Sequence, residues 1–271
     1  MSEPLELLGY GFVQRALAGS VLVGIVCGSI GVFVVLRGLA FLGDAVAHAA
    51  FPGVVIAFLL RVNLLLGGSV AAIGAALGIG VAARRAGVRE DVTIGIVFTG
   101  MFALGIALFS AIQGYTGDLL GLLFGNVLAI SVDQLVLVAV MTAVVLAVLR
   151  LVWKELVFVS FDPTGAAAAG LRVVAYDALL YGLIGVAVAV SIQIVGVVLA
   201  VAMLITPAAV GRILVRRLDR MVIVAELVAC GSSILGIWIS FVVDTAPGAT
   251  IVLVATALFV VAAISARRTR W

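Results

Sequence analysis

The sequence predicts an all-α protein, a polytopic bundle of transmembrane helices, on three observations. Of the 271 residues, 65% are apolar and only 11% are charged, far too little charge to coat a water-soluble surface of this length. The apolar residues come in runs of about 20, the length at which a helix crosses a hydrocarbon core roughly 30 Å thick. The charges fall in short clusters between those runs. Hydrocarbon offers no hydrogen-bond partner to a backbone, so uninterrupted spans of this length must be helices. Spanning strands would show alternating segments of about ten residues instead. The net charge of +3 lies in inter-span clusters rather than along one stripe, which marks membrane topology and argues against a nucleic-acid partner.

The runs divide into nine spans, at 16–36, 38–60, 64–83, 92–112, 134–149, 173–192, 194–214, 221–243 and 250–265, with seven or eight as the alternative counts. The stretch 117–131, with Gly125 and Asn126, is amphiphilic and reads as a short interfacial or re-entrant piece. The division of 173–214 rests on the polar residues Ser191 and Gln193 and on the basic clusters at both of its ends, which require an even number of crossings. All 271 residues read as a single transmembrane domain bathed in membrane lipid. With the N-terminus outside and the C-terminus inside, every Lys and Arg of the 16 except Arg15 and Arg61 falls on the cytoplasmic side, the bias expected of an inner-membrane protein. Glu3 and Glu6 replace the basic region that would open a cleavable signal peptide. Trp271 after Arg270 suits an interfacial anchor.

Small residues at four-residue spacing let helix backbones approach, so Ser20, Gly24 and Gly28, and likewise Gly74 and Gly78, are expected at helix–helix contacts. Cys27 and Cys230 lie inside apolar runs without CxxC spacing and read as small packing residues. Most carboxylates sit at span ends. Asp177 and Glu226, about one turn inside theirs, are expected to pair with nearby arginines such as Arg172 and Arg220.

Asp44 is different. It lies within the second span, and the only histidine of the chain, His48, follows four residues later. Positions i and i+4 stack on one helix face, and a carboxylate and an imidazole are both ligands for Mn²⁺, Zn²⁺ or Fe²⁺. A charge at such depth costs at least about 2.5–3.5 kcal/mol on insertion scales, so it calls for a partner or a water-filled path. An Asp–His hydrogen bond that merely fixes packing is the other reading of the pair. Pro52 cannot bond the carbonyl four residues earlier, that of His48, and Gly53 follows it. A span broken there would resemble the discontinuous helices of transporter sites. Pro207 is a second candidate for a kink or gate.

The longest cytoplasmic connection, 151–171, contains Asp162 and Pro163 as an N-cap and N1 pair and Gly170 as a helix stop. This predicts a short surface helix with Phe161 free to fill a pocket on a partner. The one lysine, Lys154, lacks the glycine pattern of a phosphate-binding loop, so ATP hydrolysis, if transport uses it, belongs to a separate subunit.

The segment VLRGLAFLGDAVAHAAFPG (35–53) resembles the signature of the permeases of the manganese/zinc/iron ABC transporter family. DVTIGIVF (91–98), LFGN (123–126), SFDP (160–163) and MLITPAA (203–209) resemble the same family, in its order and across nearly the whole chain. The resemblance implies a bacterial cytoplasmic-membrane permease that pairs with a second copy of itself, two cytoplasmic ABC ATPase subunits and an extracytoplasmic metal-binding protein. It implies that Asp44 and His48 line the metal path. It also implies that Phe161, Asp162, Pro163, Thr164 and Gly165 belong to the coupling helix (segment 154–171) that meets the ATPase. The His48–Pro52–Gly53 ending is closer to the manganese branch, which favours Mn²⁺ over Zn²⁺ or Fe²⁺ as cargo, with no cofactor held permanently. Two other classes compete. A stand-alone secondary carrier or channel would favour several intramembrane acids or histidines, and only one such cluster exists. An intramembrane metalloprotease would need an HExxH motif, which the chain lacks.

Overall fold

The structure, a computed structural model, describes residues 9–110 and 127–268. The elements in order are α1 (Gly11–Leu36), α2 (Ala40–Leu59), α3 (Leu64–Ala86), α4 (Glu90–Ser110), a 3-10 turn (Val127–Ala129), α5 (Val132–Leu151), α6 (Trp153–Phe161), α7 (Pro163–Ala168), α8 (Val173–Leu214), α9 (Leu218–Val243) and α10 (Pro247–Arg268). Among the described residues, eight of these are long and apolar enough to cross a membrane. Large apolar side chains such as Val70, Ile96 and Leu253 are about two-thirds exposed, as they must be where the surrounding solvent is lipid. The expected interfacial stretch begins among residues outside the described ones, as do Arg270 and Trp271 at the other end; its last part forms the 3-10 turn.

Two compact units are present. The first holds α1, the 3-10 turn, the start of α5, the part of α8 from Val190 onward, α9 and α10. At 42 residues α8 is about twice as long as one crossing requires. Its contacts with α1 show that the chain turns back. Cys27 Sγ lies 3.3 Å from Ser191 Oγ, and a Cβ on Gly19 would meet Ile194. Further along, Gly31 faces Leu204, and Arg212 donates to the carbonyl of Val35 at 3.0 Å. Partners on α1 therefore run from 27 back to 19 and then forward to 35, which no straight helix can do. The turn is at Gly196, whose φ of +77° and ψ of 173° are non-helical and open to glycine without a Cβ clash. The expected pair of crossings is found, but the break falls beyond Ser191 and Gln193. Backbone freedom at glycine, rather than side-chain polarity, sets its place.

The α1–α9 seam is built on the first small-residue stripe. A Cβ on Gly24 would lie 3.1 Å from that of Ala229, one on Gly28 3.1 Å from the backbone nitrogen of Glu226, and Ser233 Oγ donates to the Ser20 carbonyl at 3.3 Å. Gly31 continues the line, with the Leu204 carbonyl occupying the place of its missing side chain. Glu226 is not held by Arg220: it accepts a 2.6 Å hydrogen bond from Ser29 Oγ on α1, because a carboxylate this far along α9 finds the neighbouring helix closer than its own end. Cys27 is buried, Cys230 is half-buried and both are free.

The second unit holds α2, α3, α4, the rest of α5, α6, α7 and α8 up to Ala189. Here α2 crosses α3 at Gly53 and Gly67, each of which sits against the other's carbonyl. Gly80 lies against the Tyr181 ring at 3.1 Å and Gly185 against the Ile73 backbone at 2.9 Å. Gly74 and Gly78, in contrast, meet nothing within 4 Å, so the second stripe does not join helices within this unit. Asp177 in the first turn of α8 bonds Arg37 at 2.6 Å and Arg84 at 3.1 Å, not Arg172. This three-residue cluster places the start of α2, the end of α3 and the start of α8 on one side, as the charge count requires.

Because the Leu204 carbonyl fills the space beside Gly31, Gly31→Ala should overpack the α1–α8 contact and cost on the order of 1–3 kcal/mol. Gly74→Ala, with open space around it, should match or slightly exceed the parent. Thermal unfolding of the purified protein in detergent compares the two directly.

Candidate metal path and coupling segment

Most of helix α2 is buried, but Phe41, Asp44, His48 and Phe51 form a more open line with helical spacing. The Asp44 side chain is 40% exposed and that of His48 21%, so both retain access to whatever fills the space beside α2. His48 Nδ1 lies 2.9 Å from the Asp44 carbonyl oxygen and 3.3 Å from Asp44 Oδ1. A carbonyl only accepts, so Nδ1 carries the proton and donates. The lone pair on Nε2 is then the end of the ring that could take a metal, as in sites where one nitrogen is anchored while the other ligates. Asp44 orients the imidazole and presents its own carboxylate on the same face.

Helix α2 runs on as a helix through Pro52 and Gly53 to Leu59, so the expected break beyond the pair is absent. Pro52 still leaves the His48 carbonyl without its normal N–H partner. Gly53 serves the tight crossing with Gly67, which holds the segment in place. Among the described residues no group of three or more His, Cys, Asp and Glu side chains gathers around an ion. Among the described residues the pair thus offers two side chains, beside a carbonyl that Pro52 deprives of its usual helical donor.

Aromatic side chains that the sequence reading did not associate with this pair surround it. Phe98 and Phe102 stand one turn apart on α4, stacked in parallel at 6.2 Å, and both meet the His48 ring edge to face, at 5.0 Å and 5.5 Å. Phe51 packs against Phe102 and Phe109. Gly105 lacks a Cβ where the Phe51 ring lies, and Pro52 Cδ would be 3.2 Å away. The signal in the sequence was the spacing of Phe98, Phe102, Gly105 and Phe109, which puts them along one face of α4.

The residues expected to couple to an ATPase sit on a different element, a corner between two short helices rather than one helix in a loop. α6 buries Leu156 and Val159, a three-residue spacing that gave the unrecognised helix away. Phe161 ends it with 60% of its surface exposed. Asp162 Oδ1 accepts from the Gly165 N–H at 2.8 Å, Pro163 stands at the first helical position and Thr164 is exposed. A Cβ on Gly165 would strike the Asp162 carboxylate. Gly170 stops the segment with φ of +85°. Pro207 is buried within α8, beside the Leu204–Ala208 stretch that packs on Gly31.

An apolar multi-pass bundle with an acid–imidazole pair inside a span and a capped surface corner is the form of a transport permease. The chain belongs to the ABC 3 transport family, whose model matches residues 9–266. It is 43% identical to the manganese transport system membrane protein MntC of Halalkalibacterium halodurans, over 95% of this chain and 88% of the relative. It is 39% identical to the chelated iron transport system membrane protein YfeD of Yersinia pestis, over 97% of this chain and 88% of the relative. Among solved structures it is similar to PsaBC from Streptococcus pneumoniae in complex with Fab, at a TM-score of 0.84 and 34% identity, covering 96% of this chain and 94% of that one. It is a multi-pass membrane permease of an ABC transporter.

Removing the Asp162 cap frees the Gly165 N–H in the first turn of α7 and should destabilise that helix by about 1 kcal/mol. In Asp162→Ala, hydrogen exchange at the amides of 165 and 166 should accelerate while the amides of α6 stay as protected as before.

Proposed function

We propose that this chain is the single-domain permease of an ATP-driven importer of divalent metal ions, with Mn²⁺ as the favoured cargo and Fe²⁺ or Zn²⁺ as alternatives. The observation that carries the reading is the Asp44–His48 pair: a hard carboxylate and an imidazole with Nδ1 already engaged, stacked on one face of a membrane span. That donor set suits a borderline divalent cation. The metal is cargo, bound in passage and not a resident cofactor. Two side chains and the His48 carbonyl leave the coordination shell incomplete, so water or a second copy of the chain supplies the rest. Manganese is favoured because manganese systems recur among the named relatives, with an iron system alongside.

On this reading ATP is hydrolysed by two separate cytoplasmic subunits, which dock at the corner formed by Phe161, Asp162, Pro163, Thr164 and Gly165. A metal-binding protein delivers the ion from outside to a homodimeric permease. The N-terminus faces out and the C-terminus in, so the Arg37–Asp177–Arg84 cluster lies at the cytoplasmic face near the start of α8, into which α7 leads. Pro52, Gly53 and Pro207 are where the helices would flex during transport.

Asp44→Asn and His48→Ala should each abolish Mn²⁺ uptake by the assembled transporter in proteoliposomes while the complex still purifies intact. Wild-type uptake in both variants would refute the site. Stimulation of ATPase activity by Mn²⁺, Zn²⁺ and Fe²⁺, compared in the same preparation, ranks the cargo.

A further inference from the structure

We infer that Phe98 and Phe102 are positioning residues for the metal site: their paired rings on α4 fix the plane of the His48 imidazole and so set the affinity with which it takes a divalent cation. The inference rests on the metal-path reading of Asp44 and His48.

Three contacts bear on the ring. Asp44 holds Nδ1 from within α2, through its carbonyl and its carboxylate. That fixes one atom but leaves the ring able to rock about the hydrogen bond. Phe98 and Phe102 limit this freedom. Their rings are parallel, with an interplanar angle of 0°, and the imidazole stands at 81° to each. A tilt of the imidazole plane away from the perpendicular would lose both edge-to-face contacts. With Nδ1 held by Asp44, the range of directions open to Nε2 is narrowed.

The rest of α4 argues that the two phenyls are not simply core. The helix buries only Thr93, Ile94 and Gly105, and Phe102 is itself 37% exposed. Below it, Gly105 lets Phe51 and Pro52 close against the helix, which sets the height at which Phe98 and Phe102 meet His48. α4 packs along α2, and where it passes His48 it presents the Phe98 and Phe102 rings to the imidazole. A ligand held by neighbours in its productive orientation binds metal more tightly than one that must first be ordered.

The test is the Mn²⁺ dependence of initial uptake by the complete transporter in proteoliposomes. Phe98→Leu and Phe102→Leu keep apolar bulk but have no flat face. Each should raise KM for Mn²⁺ by on the order of 10-fold with the maximal rate little changed. Phe102→Tyr keeps the face and should restore the parent KM; Phe102 is partly exposed, so this pair of variants decides the matter even if Phe98→Leu assembles poorly. An unchanged KM in Phe102→Leu, a fall in maximal rate at constant KM, or equal impairment by Tyr and Leu would each overturn the proposal. His48→Ala is measured alongside. If it transports as well as the parent, the metal-path reading fails; if it is inactive while Phe102→Leu keeps its KM, only the role of the rings fails.

Discussion

Hydrocarbon offers nothing to a charged group, and that constraint bears on the ion pairs and partly buried carboxylates among the described residues. Backbone groups are absorbed by the helices themselves. Side-chain groups must find each other, reach the surface or line a wet path. Asp177 reaches two arginines at a helix start, and Glu226 takes the hydroxyl of Ser29 across a helix seam. Arg212 turns its charge to the last carbonyls of α1, where the helix dipole favours a cation. Each of these has a structural partner that accounts for it. Asp44 does not: its nearest partner is a histidine that is a ligand in its own right, and both keep an open side. The pair is distinguished less by being polar than by being left unfinished.

The same solvent removes the usual drive for helices to associate, since lipid tails are as apolar as leucine. Close approach takes its place. Gly24, Gly28 and Gly31 bring α1 against α9 and α8 at backbone distance, and Gly53 with Gly67 does so for α2 and α3. Gly53 and Pro52 are adjacent yet do opposite things. The proline releases the carbonyl of His48, while the glycine clamps the following turn onto α3. The helix accordingly stays whole where a break looked natural.

What the sequence made legible followed from chemistry that is local. Span positions came from run length, the cap at Asp162 from its proline and its downstream glycine, and the Asp44–His48 register from helix period alone. What it hid depended on partners far along the chain. Nothing near Asp177 names Arg37 and Arg84 as its partners, and Arg172, close in sequence, was the natural guess. Ser20–Gly24–Gly28 and Gly74–Gly78 have the same spacing, but only the first meets a neighbour; the difference lies in the facing helices. The turn in α8 was sought at polar residues, although a glycine able to take positive φ was present a few positions on. α6 is a short helix within the predicted connection 151–171, and only Leu156 and Val159, three residues apart, mark it.

The open side of the pair bears on how a transporter can both hold and release its cargo. A complete shell of anionic ligands would bind a divalent ion too firmly to pass it on. On the proposed reading, one carboxylate, one imidazole and the His48 carbonyl form a partial shell, and its affinity depends on how well those few donors are held in register. Preorganisation is then the quantity that a conformational change would adjust. α2 is held on α3 at Gly53 and Gly67 and on α4 at Gly105, where Phe51 and Pro52 close in, while the Phe98 and Phe102 rings meet His48. Loosening those ring contacts would leave the Asp44–His48 hydrogen bond in place and lower the affinity of the proposed site, so release of an ion need not move a charge through lipid.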